Sequence, residues 1–321
     1  MSTRVTERKP GVAASRRAGR PAAARRTGPA PRRDRTGPSG IMAVPALLFF
    51  GVFALVPLVG VVLLSFVSWD GISGMSWAGL VNWFNVLGDS MTYQALWLSV
   101  QVMVLSWLVQ TPISMLLGVF IAARGRYRAL LGVLYFLPML LSSAAIAIAF
   151  KALLDPNFGM SLAFGIEAFA QDWLGDRDLA LYVVIFVIAW QFVPFHTLLY
   201  QAGVRQIPAS LYEAAEIDGA GRVRQFFHIT LPQLRYTIIT SSTLMLVGSL
   251  TYFDLVYVLT EGGPGNATRI LPLDMYLTGF RANNMGAASV LAVLLVGTGL
   301  ALALGLSRLS SFRRGSQLEG A

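Results

Sequence analysis

The sequence predicts an all-α polytopic membrane protein with six transmembrane helices and both the N- and C-termini cytoplasmic. Three observations predict it. Of 321 residues, 55% are hydrophobic and only 13% are charged, about half the charge of an ordinary soluble domain. Apolar stretches lie near 41–68, 93–123, 129–152, 179–203, 237–260 and 286–307. Each is long enough to cross a hydrocarbon layer of about 30 Å with some tilt. Basic residues are also unevenly placed. With the N-terminus inside, 21 Lys and Arg fall on the cytoplasmic side and 4 outside, as the positive-inside rule requires.

The formal charge of +9 is local. Residues 1–40 hold 11 Lys and Arg against Glu7 and Asp34, and the remainder of the chain is balanced. This Arg-, Ala-, Pro- and Gly-rich segment has almost no large apolar side chain, so it reads as a disordered basic cytoplasmic tail. Nucleic-acid binding or contact with anionic lipid is the weaker reading of that tail, and an aid to topology the stronger. The run Ile41 to Val67 is span-sized, unlike the core of a signal peptide. Residues 41–92 hold the first transmembrane helix and an outer amphipathic segment, Gly79-Leu80-Val81-Asn82-Trp83-Phe84. Pro112, Pro138 and Pro194 fall inside later stretches, where neighbouring helices can satisfy the freed backbone groups. The outer loops carry acids such as Asp70, Asp89, Asp155, Asp172, Asp176 and Asp274, with Trp69 at an interface position.

Several chemistries are excluded. The chain has no Cys, so it has no disulfide or thiolate metal site. With two His, His196 at mid-span and His228 in an inner loop, a His-based metal site is not expected. No G-x-x-x-x-G-K-[ST] occurs, and the only lysines are Lys9 and Lys151. The chain therefore has no nucleotide-binding loop of its own and reads as no enzyme.

The long inner loop, about 204–236, carries the strongest signal. It contains Ile207-Pro208-Ala209-Ser210-Leu211-Tyr212-Glu213-Ala214-Ala215-Glu216-Ile217-Asp218-Gly219-Ala220. Pro208 suits a helix start, and Gly219 the left-handed position just past a helix end. Ile207, Leu211, Ala214 and Ala215 share a face, flattened by the two alanines. A second helix follows from about Arg222 to Thr230, with Val223, Phe226 and Phe227 as its apolar face and Pro232 limiting its length.

Glu213-Ala214-Ala215, Gly219, Ile229 and Leu231-Pro232 match, at every position, the E-A-A-x3-G-x9-I-x-L-P signature. The chain therefore resembles the permease subunits of binding-protein-dependent ABC importers. Leu259 to Thr268, with Gly262-Gly263-Pro264, looks like a stretch of the carbohydrate-uptake (maltose and glycerol-phosphate) group. Gly79-Leu80-Val81-Asn82-Trp83 and Asp155-Pro156-Asn157-Phe158-Gly159 are similar to further segments of that group. The likeness reaches across nearly all of residues 41–307 and suggests the first of the two permease types. Arg235-Tyr236 is a departure, since many relatives carry a proline there.

The resemblance implies a type I ABC importer permease fold, with the transmembrane domain at 93–307 and a cytoplasmic C-terminal tail at 308–321. It implies a bacterial plasma-membrane protein that pairs with a second permease, two ATPase subunits that bind ATP and Mg, and an extracellular solute-binding protein or lipoprotein. Leu211, Tyr212, Glu213, Ala214, Ala215, Asp218, Gly219 and Arg222 are then the ATPase-coupling residues. The substrate-path candidates for a sugar or oligosaccharide are Ser249, Tyr252, Phe253, Asp254, Tyr257, Trp190 and Gln191. Gln101, Gln110, His196 and Tyr200 are further polar groups inside spans. For each aromatic, helix packing is the alternative, and His196 fits a helix–helix hydrogen bond better than a ligand role. Asp254, as an acid within a span, is expected to face the bundle interior or water. A secondary transporter or channel working without ATP is the competing function. It requires paired charges within spans and leaves the E-A-A loop unexplained.

Overall fold

The computed structural model describes residues 40–123, 125–167 and 170–318. The basic tail apart from Gly40, and Arg124, lie outside the described residues. The chain divides into two units, Met1–Phe49 and Phe50–Ala321. In the first, the described residues form a 3₁₀ turn at Gly40–Ala43 and the beginning of α1 (Val44–Phe50).

The second unit begins with a π-turn at Gly51–Leu55 and α2 (Val56–Leu64). The stretch Val44–Leu64 is long and apolar enough to cross a membrane, and none of its side chains is buried. A two-residue ribbon follows, with β1 (Val67–Ser68) antiparallel to β2 (Ser76–Trp77) in the register Val67–Trp77. The amphipathic segment becomes α3 (Val81–Gly88). It is not simply laid on a surface. Asn82 is buried, and its Nδ2 donates to the carbonyls of Ser65 and Val67 at 3.0 and 2.9 Å. Trp83 Nε1 donates to Ser65 Oγ at 3.1 Å. Asn82 and Trp83 thus tie α3 to the C-terminal end of α2.

Helices α4 (Ser90–Ala122) and α8 (Ala180–Arg205) form the main pair of the bundle. Asp89 caps α4 by accepting from Met91 N at 2.9 Å. The buried face of α4 mixes larger residues such as Leu98, Val102, Gln110 and Ile121 with the small residues Ala95, Ser99, Ser106, Ser114 and Gly118. Small side chains let membrane helices approach closely, where dispersion rather than water exclusion drives association. A Cβ on Gly118 would come within 2.6 Å of Tyr200 Cβ on α8. That contact fixes the spacing of the pair.

Two of the six apolar stretches are not straight spans. Residues 129–152 divide into α5 (Arg126–Leu140) and α6 (Ser143–Leu153), bent by 97°. Pro138 lies in the last turn of α5, and Ser142 Oγ caps α6 through Ala145 N at 3.2 Å. Residues 237–260 become α12 (Arg235–Gly248), a 3₁₀ turn at Ser249–Thr251 and α13 (Phe253–Thr260), bent by 50°. Four helices are long and apolar enough to cross a membrane, or up to six if each bent pair is one span.

Between these lie α7 (Met160–Phe164), α9 (Ala209–Ile217), α10 (Arg222–Gln225) and α11 (Leu231–Gln233). The chain ends with α14 (Leu271–Tyr276) and α15 (Met285–Leu318), which continues past the apolar stretch. The larger core joins Val102 of α4, Ile146 of α6, Val184 and Ile188 of α8, Leu255 and Leu259 of α13, and Leu273 of α14. A smaller core joins Val86, Ala95, Leu271 and Leu291.

Candidate functional site

Helix α9 starts after Pro208, whose φ of −58° and ψ of 130° make it the flanking residue rather than the first helical one. Its end is closed by two backbone hydrogen bonds. Gly219 N donates to Glu216 O at 3.0 Å, and Ala220 N donates to Ala215 O at 2.8 Å. These are the two bonds of a Schellman motif, which needs a left-handed residue between them. Gly219 supplies it with φ +75°. The three-residue spacing from E-A-A to Gly is thus the length of the last helical turn.

A second helical run carries α10, a π-turn at Phe226–Thr230 and α11. It passes through Pro232 rather than stopping there. The wider π-turn just before the proline gives the chain room for a residue that donates no backbone N–H. Leu234 makes the break, and α12 begins at Arg235. The absence of a proline at 235–236 therefore leaves α12 to start one residue after Leu234.

The two runs are bolted together by Tyr212 Oη and Thr230 Oγ1, 2.9 Å apart. Gln225 Nε2 adds a bond to Ala220 O at 3.0 Å. Outside this seam the loop is open. Leu211, Glu213, Ala214, Asp218, Gly219 and Arg222 are exposed, and Ala215 and Tyr212 are half-buried. Ala215, Asp218 and Ala220 line a cleft with Arg224, His228 and Ile229. The apolar face of the second helix is largely open, with Phe226 half-buried. Val223 is 72% and Phe227 57% exposed, and Ile217 is 87% exposed. Such apolar exposure beside a flat Ala-Ala surface suits a docking element.

The substrate-path candidates do not form one cluster. Ser249 and Tyr252 are buried within this chain, as is Gln191, whose Nε2 donates to Ser143 Oγ at 3.1 Å. Tyr252 packs against Phe192 with ring centroids 5.1 Å apart. Trp190 meets Phe150 edge-on at 5.2 Å. Asp254 does not face the interior of this chain. It is exposed in the first turn of α13, just past the bend, where the helix N-terminus favours a negative charge. Beside it, Phe253 stacks on Tyr257 at 5.5 Å, and both reach Tyr276, at 4.9 and 5.1 Å. Phe280 extends the ring cluster, and Arg281 Nη2 donates to Tyr257 Oη at 2.8 Å.

His196 is buried with Nδ1 3.0 Å from Ser241 Oγ, joining α8 to α12. Gln110 is fully buried, and among the described residues neither of its side-chain amide atoms meets a partner within hydrogen-bond geometry; the same holds for Ser106 Oγ and Thr197 Oγ1. This polar seam between α4 and α8 was only partly legible. Gln110 stood out as an amide inside a span, whereas the serines and Thr197 carry no such signal.

The stretch with Gly262-Gly263-Pro264 also has a definite structure. Thr260 Oγ1 and Thr268 Oγ1 are 2.7 Å apart, and Thr268 Oγ1 donates to Gly263 O at 2.8 Å. Leu271 N donates to Ser99 Oγ at 2.8 Å, pinning the segment to α4. Arg269 Nη2 pairs with buried Asp274 Oδ1 at 2.7 Å. Burial pushes the Asp274 carboxyl above the usual carboxylate range, and the Arg269 charge only partly offsets this. The Arg269–Asp274 pair and the Arg281–Tyr257 bond were not anticipated, because their partners are drawn together only by the turn after Pro264.

A model of the family described as binding-protein-dependent transport system inner membrane component matches residues 114–314. The chain is 34% identical over 282 residues to the probable ABC transporter permease protein YurN of Bacillus subtilis, covering 85% of this chain and 95% of that one. It is 28% identical to the arabinooligosaccharides transport system permease protein AraP of the same species, covering 78% and 82%. Among solved structures, a chain of a bacterial alginate ABC transporter in complex with an alginate pentasaccharide-bound periplasmic protein aligns with a TM-score of 0.72. That alignment has 21% identity and covers 84% of this chain and 92% of the other.

Proposed function

The chain belongs to the family of binding-protein-dependent transport system inner membrane components, and we propose that it is one permease subunit of an ATP-driven importer, forming half of the path for a sugar or oligosaccharide. The observation that carries this reading is the loop at 209–233. A short helix closed by Gly219 presents Glu213, Ala214 and the Ala215 edge to the outside, braced by Tyr212 and Thr230. Such a rigid, flat, exposed helix can transmit a push from a partner to α8 and α12, which it joins. The sequence has no G-x-x-x-x-G-K-[ST], which supports placing ATP and Mg on two partner ATPase subunits.

The rest of the assembly follows from the same reading. A second permease completes the pore, and an extracellular binding protein delivers the sugar. Each bent helix pair counts as one span, giving six spans with both termini in the cytoplasm of a bacterial plasma membrane. Sugar as cargo is supported by relatives whose names specify arabinooligosaccharides and alginate. The half-buried rings of Phe253 and Tyr257, with exposed Asp254 and Arg281 beside them, offer ring edges and polar groups of the kind that sugars bind. The basic residues of the described chain sit toward the ends of the spans rather than deep within them, which favours a neutral sugar over a phosphorylated one.

The test is uptake of a panel of labelled sugars into vesicles bearing the complete importer, with and without ATP and with and without the binding protein. Accumulation of a sugar only when both are present is the expected result. Accumulation driven by an ion gradient alone would replace this reading with a secondary transporter.

A further inference from the structure

We propose that the groove between α5 and the inner end of α8 is a binding site for an anionic phospholipid of the cytoplasmic leaflet. The groove has a volume of 550 Å³. One end carries Arg205 and Gln201 from the last turns of α8. The remainder is apolar and is formed largely by Gly132, Val133, Phe136 and Leu140 of α5. From Ala129 to Leu140 this wall follows three turns of helix, about 16 Å along the axis. A charged end and an apolar trough of that length match a lipid headgroup with an acyl chain.

The small residues make the trough. A Cβ on Gly132 would only reach ordinary contact with Ile121, at 3.6 Å, so glycine here leaves space rather than relieving a clash. Ala129 is exposed beside it. Val133 is 64% and Leu140 79% exposed, a surface that suits hydrocarbon and not water.

The charge at the open end selects the headgroup. Arg205 has no ion pair among the described residues. Arg126 and Arg128 open α5 at the same end, and Arg128 is held over the Phe120 ring at 5.0 Å. No acid occurs between Asp89 and Asp155, nor between Asp178 and Glu213. Every residue lining the groove comes from these two acid-free stretches. Basic pockets between membrane helices on the cytoplasmic side are suited to anionic headgroups. The inference needs only that these helices cross a bilayer with α5 starting inside, and it does not depend on which solute is carried.

Native mass spectrometry of the importer complex, purified in mild detergent with added phosphatidylglycerol or phosphatidylcholine, tests it. Phosphatidylglycerol is expected to be retained in preference to phosphatidylcholine, and less so as salt is raised. Arg205→Gln is expected to weaken that retention about fivefold, the effect of one surface charge. Ala129→Trp, which fills the trough and leaves the charges in place, is expected to remove the bound lipid while the complex stays assembled. Equal retention of the two lipids, or retention unchanged in both variants, would overturn the proposal. So would lipid binding to the isolated chain that vanishes in the complex, because another subunit then covers the groove.

Discussion

The hydroxyls of Tyr212 and Thr230 lie 2.9 Å apart and join α9 to the helical run that leads into α12. Tyr212 was singled out only as part of the signature loop, and Thr230 was not. Their pairing depends on the turn at Gly219 reversing the chain over a fixed length, so that residues 18 apart in sequence meet. The loop is therefore braced across its two helical runs.

Removing the brace tests that view. Tyr212→Phe and Thr230→Val each delete one partner of a half-buried bond, at about 1 kcal/mol. Hydrogen exchange at the amides of α9 is expected to quicken several-fold in either variant. The double variant is expected to be no worse than the worse single one, because the two residues share one interaction. Additive effects would show that the hydroxyls act separately.

Gly219 has φ +75°, and a Cβ there would meet nothing within 4 Å. The cost of a side chain is therefore backbone strain alone, about 1–2 kcal/mol. Gly219→Asn is expected to keep most transport, since Asn tolerates this conformation, and Gly219→Val to lose it. Equal activity of the two would mean that the left-handed turn is not what the signature glycine supplies.

Asp274 gives a pH signature. Its folded-state proton affinity is raised by burial, so its contribution to stability is fullest below the unfolded carboxyl value of 3.8 and is lost as pH rises through the folded value. Arg269 limits that loss by pairing with the charged form. Arg269→Met is expected to melt lower than the parent, and the gap is expected to widen as pH rises above the unfolded carboxyl value. A gap independent of pH would show that Arg269 stabilises the turn by packing rather than by charge.

Asp254 is exposed and makes no ion pair among the described residues. Replacement by Asn is expected to leave abundance in the membrane unchanged. If Asp254 contributes to the translocation path, as proposed, the same variant lowers sugar uptake at least tenfold. Full uptake would remove it from that path. Tyr257→Phe, which deletes the acceptor for Arg281, is expected to have the smaller effect, because the ring stack on Phe253 survives.

Much of the architecture was legible. Apolar length located the spans because a bilayer sets a minimum number of residues, and α4 and α8 fall where expected. The bends were not legible. Pro138 lies near the 97° bend, but Pro112 and Pro194 lie in unbroken helices, so proline alone did not mark the break. At Tyr252 there is no proline, and the bend follows the 3₁₀ turn at Ser249–Thr251. The first helix of the loop at 204–236 was readable nearly to the residue, since Gly219 and Pro208 act through local backbone geometry. The burial of Ser249, Tyr252 and Gln191 was not readable, because which side of a span faces its own bundle depends on partners distant in sequence.

The account stands most directly on the claim that the Ala214–Ala215 surface docks a separate ATPase. The decisive measurement is a gentle-detergent pull-down of the tagged chain from native membranes, for the parent and for Ala215→Arg, with mass spectrometry of what accompanies each. The account predicts a second permease and an ATPase with the parent. It predicts the ATPase lost with Ala215→Arg while the second permease and membrane abundance are kept. An ATPase that stays bound to Ala215→Arg with full sugar uptake would contradict it.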